Sequence, residues 1–147
     1  MKLSINDIYK IVGSVLKMDE DKKEKLPLKL RWKLENNITK MKPIAMNFEK
    51  TIASVSESIN KNFFNDPEKT IRIVNEDGSE VAKIKDEYIE TYKKEVEDLN
   101  GQLVEIASEE REIDIQTYDI DSFIDSLPDD TPLTFDDLKI LQFMNEG

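Results

Sequence analysis

The chain has 147 residues, contains neither cysteine nor histidine, and carries a formal net charge of −11. The absence of these two residue types excludes disulfides, thiolate nucleophiles, imidazole bases and zinc sites of the Cys/His type. Residues 1–64 carry 13 Lys/Arg against 8 Asp/Glu (+5), whereas residues 65–147 carry 8 against 24 (−16). Two halves of opposite charge are expected to attract one another, and the acidic excess favours a basic partner surface.

The length fits one domain, which we expect over residues 1–147. No stretch approaches the roughly 18 consecutive apolar residues of a membrane span. The N-terminus carries Asp7 instead of the continuous apolar core of a secretory signal. We therefore expect a cytoplasmic protein that contacts no membrane.

The first half of the chain is predicted to be helical. Ser4 stands before an apolar stripe and predicts the N-cap of a helix over residues 5–18. Pro27 suits the first turn of a long helix over residues 27–64. Pro43 lies inside that helix, where it predicts a kink and not a break, because the apolar pattern keeps its register on both sides.

A heptad pattern marks one face of this long helix, with apolar residues at alternating spacings of four and three. Its members are Leu34, Ile38, Met41, Ala45, Phe48, Ile52, Val55 and Ile59. The same alternation marks a helix predicted over residues 86–108, through Ile89, Tyr92, Val96, Leu99, Leu103 and Ile106. The short connection favours packing of the two faces within one chain as an antiparallel helical hairpin, with pairing between chains as the alternative.

The remaining elements are short. β-branched residues on both sides of Asp77-Gly78 predict a β-hairpin over residues 70–85. Alternating polar and apolar residues predict a strand over residues 112–118, which could extend the hairpin to a three-stranded sheet. Short helices are predicted over residues 120–127 and 134–145. The predicted fold is mainly α (α+β): a long helical hairpin or coiled coil, a β-hairpin or three-stranded sheet, and short C-terminal helices.

Five aspartates in the acidic last third are the predicted partner-binding residues: Asp119, Asp121, Asp125, Asp129 and Asp130. Clustered carboxylates also suit Mg²⁺ or Ca²⁺. A calcium loop beginning at Asp119 would, however, place Phe123 at a ligand position and Ile124 at the glycine position. We therefore expect no metal and no cofactor, and interpret these acids as helix caps and charged surface.

A basic segment over residues 22–42 supports a different interpretation, nucleic-acid or nucleotide binding. Its bases could neutralise phosphates while an indole stacks on a nucleobase. The candidate residues are Lys29, Arg31, Trp32, Lys33, Lys40 and Lys42. The competing interpretation makes Trp32 a core anchor and pairs the bases with the chain's own acids.

No motif in the sequence indicates a reaction. With four glycines, the chain has no glycine-rich loop that could cradle phosphate. The serines of the long helix have no histidine that could act as a base. We therefore expect a protein that is not an enzyme.

Five pieces of the sequence carry a resemblance to a known family. They are Met1-Lys2-Leu3 to Ile11, Lys25-Leu26-Pro27-Leu28-Lys29, Glu76-Asp77-Gly78, Glu112-Ile113-Asp114-Ile115, and Asp136-Asp137-Leu138 to Phe143-Met144. In these pieces the chain resembles a family of small uncharacterised proteins of phages and prophages of Gram-positive bacteria. The resemblance implies a viral origin and assigns no catalytic or binding residue.

Together these observations favour a non-enzymatic interaction protein, encoded by a phage, that binds a host protein with a basic surface in the host cytoplasm. It would inhibit or trigger a bacterial defence system. The first alternative is a virion or tail assembly component or chaperone, in which the chain forms a homo-oligomer and is located in the virion. The second alternative is nucleic-acid or nucleotide binding through the basic segment.

Overall fold

The computed structural model describes all 147 residues, which form two compact units. The first unit comprises residues 1–47 and 109–147, and the second comprises residues 48–108. As predicted, the fold is mainly helical, with a long helix, small antiparallel sheets and short C-terminal helices. None of its helices combines the length and the apolar composition needed to cross a membrane.

In chain order the elements are β1 (Lys2–Ser4), α1 (Ile5–Lys17), α2 (Glu20–Glu24), α3 (Leu28–Ile59), β2 (Thr70–Val74), β3 (Glu80–Ile84), α4 (Ile89–Ser108), β4 (Glu110–Glu112), α5 (Ile120–Asp125) and α6 (Phe135–Ile140). A π-helical turn, Asn60–Phe64, extends α3, and 3₁₀ turns precede α4 (Asp86–Tyr88) and follow α6 (Leu141–Met144). Helix α3 continues through Pro43. The sequence pattern does not indicate α2, which contains no apolar residue.

The first unit buries the apolar stripe of α1 against the first half of α3 and the C-terminal segments. Ser4 caps α1 as predicted, because its Oγ accepts a hydrogen bond from the Asp7 amide at 3.0 Å. The core of the unit comprises Ile8, Val12, Val15, Leu26, Leu30, Leu34, Ile38, Met41, Ala45, Ile113, Ile120, Phe123, Leu133, Leu141 and Met144.

The three-stranded sheet does not form. Strand β4 instead pairs antiparallel with β1, with Lys2 opposite Glu112 and Ser4 opposite Glu110, while β2 and β3 form a separate two-stranded hairpin. Beyond Ile113, whose amide donates to the Met1 carbonyl, the segment predicted as a strand forms no ladder, and its last residue, Tyr118, makes an isolated parallel bridge with Asn145. The apolar alternation there reflects packing on a helical core, because Ile113 is buried within the α1–α3 cluster.

The second unit contains the helical hairpin. The Phe63 ring, 1% exposed, lies edge-on to the Tyr92 ring at 5.3 Å between centroids. The Asn62 Nδ2 donates to Glu95 Oε1 at 3.2 Å. Both contacts join the π-helical turn at the end of α3 to the first two turns of α4.

The heptad face of α3 is divided between the two units, and only its later part lies in the unit that contains α4. Leu34, Ile38 and Met41 belong to the core of the first unit. Ile52 and the later members, in the second unit, are only half-buried, and α4 has no fully buried residue. The physical reason is length. The 20 residues of α4 span about 30 Å whereas the 32 residues of α3 span about 48 Å.

Candidate functional site

The structure separates the five predicted partner-binding aspartates into two groups. Two of them stabilise the start of α5. Asp119 is its N-cap, accepting hydrogen bonds from the Ser122 amide at 3.0 Å and the Ser122 hydroxyl at 2.7 Å. Asp121 accepts a hydrogen bond from Asn145 Nδ2 at 3.1 Å. The Ser122 amide and hydroxyl hold the pKa of Asp119 below its usual value.

The other three aspartates are exposed, and their side chains form no hydrogen bond or ion pair. Asp125 is the last residue of α5, and Asp129 and Asp130 follow in the loop before α6. Other acids of the same unit are paired: Glu112 with the Met1 amino group at 2.8 Å, Asp137 with Lys22 at 3.0 Å and Asp114 with Lys40 at 3.9 Å. The carboxylates of Asp125, Asp129 and Asp130, which we call the acidic triad, are therefore free to pair with a basic side chain of another molecule.

Neither these carboxylates nor any others form a group of three or more arranged to hold a metal ion. The segment carries its acids on a six-residue helix and a following loop, so their side chains do not converge on one point. Inner coordination of Ca²⁺ takes six to eight oxygen ligands. The surface thus presents separate charges and not a chelating cluster.

The basic segment is used partly inside the first unit. Lys33 Nζ donates to the Thr117 carbonyl at 2.9 Å and lies 5.9 Å from the centre of the Tyr118 ring. Lys40 Nζ donates to the Asp114 carbonyl at 2.6 Å. These two lysines hold residues 114–118 against α3. Lys40 Nζ also lies 3.9 Å from the Asp114 carboxylate, whereas Lys33 contacts no acid.

The rest of the basic segment faces outward. Trp32 is 59% exposed, so the alternative that it anchors the core is wrong. Lys29, Arg31 and Lys42 make no ion pair. The structure therefore leaves three of the five predicted cations unpaired: Lys29 and Arg31 on the first turns of α3, near the indole, and Lys42 about three turns further along the helix.

An open groove of about 370 Å³, which we call the α3–α5 groove, brings residues of both predicted sites together. Lys29 and Lys33 line it from α3, Asp119 from the cap of α5 and Glu146 from the C-terminal end. The Tyr118 ring also lines it. Two cations and two carboxylates balance in charge, so this groove does not select anions such as phosphate over cations.

Asn37 is a structural residue that the sequence interpretation missed. It is the buried polar side chain of α3, fully inaccessible to solvent. Its Nδ2 donates to the Gln116 carbonyl at 2.9 Å and its Oδ1 accepts from the Gln116 amide at 2.8 Å. The signal was present in the sequence, because Asn37 lies three residues after Leu34 and so falls on the same apolar face.

The start of α6 is fixed by a capping box. Thr134 Oγ1 accepts from the Asp137 amide, and the Asp137 carboxylate accepts from the Thr134 amide at 2.9 Å. Lys22 adds an ion pair with the same carboxylate. Burial raises the pKa of Asp137, but the bonds from Thr134 and Lys22 outweigh it and hold the pKa below its usual value.

We expect Asp137→Asn to weaken the acid sensitivity of the fold. Because the folded-state pKa of Asp137 is lowered, its stabilisation is fully present above the unfolded value of about 3.9 and is lost as the pH falls through the folded value. Asp137→Asn should therefore lower the free energy of unfolding by about 1–2 kcal/mol near pH 7 and by little near pH 2. Urea unfolding at both pH values measures this.

The control for this prediction is Asp136→Asn, at an adjacent carboxylate that is exposed and has no partner. It should change the free energy of unfolding near pH 7 by less than about 0.5 kcal/mol. An unaltered pH dependence in Asp137→Asn would contradict the assignment of the stabilisation to the Lys22 and Thr134 contacts.

Comparisons with protein-family models, with curated proteins and with solved structures found no match to this chain.

Proposed function

We propose that this protein is a non-enzymatic interaction protein that binds a basic surface of a host protein through the acidic triad. The observation that carries the proposal is that Asp125, Asp129 and Asp130 are exposed and unpaired. No lysine or arginine occurs between Arg111 and Lys139, so no neighbouring base in the sequence neutralises them. Unpaired surface charges steer a partner of opposite sign and make the association sensitive to salt.

The proposal includes a phage origin. The resemblance of five sequence pieces to a phage and prophage family supports it. A small acidic protein of this kind would act in the cytoplasm of the bacterial host. Its partner would be a component of a defence system, which it inhibits or triggers by occupying a basic surface.

The test is capture of host proteins on the immobilised chain at about 50 mM and about 500 mM salt, because screening weakens contacts between exposed charges. We expect a partner with a basic surface to be retained at low salt and released at high salt. The triple variant Asp125→Asn, Asp129→Asn, Asp130→Asn should bind that purified partner at least tenfold more weakly, with most of the loss in the association rate.

The matched control removes three exposed, unpaired charges from α4: Glu97→Gln, Asp98→Asn and Glu105→Gln. It changes the net charge by the same amount and should retain binding. Equal losses in both triple variants would show that net charge, and not the acidic triad, sets the affinity. Retention of no host protein at low salt would overturn the proposal.

Nucleic-acid binding is the second candidate, favoured by the exposed Trp32 beside the unpaired Lys29 and Arg31. It ranks lower because Lys33 and Lys40 already hold backbone carbonyls. A mobility shift with single-stranded DNA and RNA at about 50 mM salt, lost in Trp32→Ala, would support it.

The virion or tail-assembly alternative is tested by mass spectrometry of purified phage particles. The chain would be detected in the particles if it is a structural component.

A further inference from the structure

A second groove of the first unit differs in character from the α3–α5 groove. This α1–α3 groove has a volume of about 230 Å³ and an apolar floor formed by Val15, Leu34 and Ile38. Sites for drug-sized ligands have volumes of about 300–1,000 Å³. The α1–α3 groove is smaller, and its size suits one large side chain.

The rim of this groove is mainly cationic. Lys23, Arg31 and Lys42 line it, against one carboxylate, that of Glu35. Arg31 and Lys42 make no ion pair, and Lys23 contacts only Glu20, an exposed carboxylate at 3.4 Å. With Glu35 on the rim and Glu20 paired to Lys23, the rim keeps a net positive charge. An apolar floor with a net cationic rim fits an apolar anchor that has a carboxylate beside it.

The chain itself carries such an anchor at the start of α6. Phe135 is 79% exposed, the highest exposure of any large hydrophobic side chain in the protein. Asp136, the next residue, is exposed and unpaired. The capping box of Thr134 and Asp137 fixes the backbone on both sides of this pair, so the ring is presented from an ordered turn. A fixed anchor loses less conformational freedom on binding than a mobile one.

We propose that a second copy of this chain docks Phe135 in the α1–α3 groove, with Asp136 beside Arg31 and Lys42. Each copy carries both surfaces, so the same contact can be made reciprocally in a dimer or repeated from copy to copy. This self-association is separate from host binding, which uses the acidic triad.

The contact should be weak, because two opposing factors limit it. A single anchor covers less than the roughly 800 Å² per partner of a stable interface. Each copy also carries a net charge of −11, which opposes approach. We expect a dissociation constant of about 0.1–1 mM. This corresponds to the binding free energy of one apolar anchor, with little contribution from the contacts around it.

The test detects transient contact between copies by paramagnetic broadening in nuclear magnetic resonance spectra. Because the chain has no cysteine, Lys139→Cys gives a single nitroxide attachment site, one helical turn after Phe135 on the exposed side of α6. This tagged copy, without isotope, is mixed with an untagged ¹⁵N-labelled copy. At about 0.5 mM of each, the expected result is at least a twofold loss of amide intensity at groove positions such as Leu16 and Thr39.

Two variants locate the contact on its two sides. Phe135→Ala in the tagged copy, or Arg31→Glu with Lys42→Glu in the labelled copy, should each abolish the broadening. A tagged copy carrying Asp136→Lys should broaden the amides of the unmodified labelled copy less strongly. The broadening should be restored when the labelled copy carries Arg31→Glu. The matched control is Leu28→Ala in the tagged copy, which removes another exposed apolar side chain and should leave the broadening unchanged.

Broadening no stronger than that caused by free nitroxide would overturn the proposal, as would broadening centred on another surface. Each variant's own amide spectrum shows whether it is folded. The acidic-triad variant should still self-associate, since Asp125, Asp129 and Asp130 do not take part. Loss of host binding and loss of self-association are therefore separate outcomes.

Discussion

Replacing Asn37 by alanine is expected to lower the free energy of unfolding of the first unit by about 2–4 kcal/mol. Two hydrogen bonds to the Gln116 backbone would be lost, at 2.9 and 2.8 Å. A donor or acceptor left buried without a partner costs about 1–3 kcal/mol, and the missing side-chain volume adds a cavity term. Because Asn37 joins α3 to the segment that precedes α5, the same change should loosen the presentation of the acidic triad.

Urea unfolding followed by circular dichroism measures the loss for Asn37→Ala. The matched control is Asn36→Ala, at the adjacent residue, whose side chain is only half-buried and makes no hydrogen bond. We expect a change within about 0.5 kcal/mol for the control. Equal effects of the two substitutions would show that Asn37 does not hold the Gln116 backbone as the structure indicates.

The charge pattern predicted attraction between residues 1–64 and 65–147, without identifying the elements that meet. Residues 1–47 carry 11 Lys/Arg against 6 Asp/Glu (+5), and residues 109–147 carry 2 against 12 (−10), and both belong to the first unit. They meet through the Met1 amino group, Lys22 and Lys40, which pair with acids of the C-terminal segment. Net charge gives the sign of such an attraction and no register, so the sequence could not identify these pairs.

The heptad face shows why local periodicity predicted the helices better than their packing. Spacings of four and three place residues on one side of a helix whatever that side contacts. In α3 the first half of the face packs on α1 and the C-terminal segments, while the hairpin uses the end of the helix near Phe63. Helix length decided between these outcomes, because the 20 residues of α4 cannot cover the whole face of the 32-residue α3. The interpretation of the sequence did not take this difference in length into account.

Strand β1 could not be predicted because it consists of three residues whose pairing partner is more than 100 residues away. No two-residue periodicity can be recognised over so short a stretch. Of the five candidate aspartates, Asp119 was identifiable as a cap from its position before Ile120. The hydrogen bond between Asn145 and Asp121 could not be predicted in the same way. It forms only because the C-terminal residues return to α5, which is a long-range contact.

The substitution Phe63→Ala is expected to lower the free energy of unfolding of the second unit by about 3–5 kcal/mol. This unit buries only Phe48, Phe63 and Ile84, so Phe63 is a large part of its core. The ring lies edge-on to Tyr92 and 5.0 Å below the Lys69 ammonium. Edge-on aromatic pairs contribute about 0.5–1.5 kcal/mol beyond burial, so both the α3–α4 contact and the adjoining β-hairpin should weaken.

Amide hydrogen exchange measures this loss locally, because exchange in α4 and in the β2–β3 hairpin reports the opening of these elements. Phe64→Ala is the matched control. Phe64 contacts the same Tyr92 ring at 5.5 Å but is only half-buried, so its removal leaves less unfilled space and should accelerate exchange far less. Equal acceleration in the two variants would show that contact with Tyr92, and not burial of Phe63, holds the hairpin closed. Unchanged exchange in α4 of Phe63→Ala would mean that the half-buried faces of the two helices suffice without this ring.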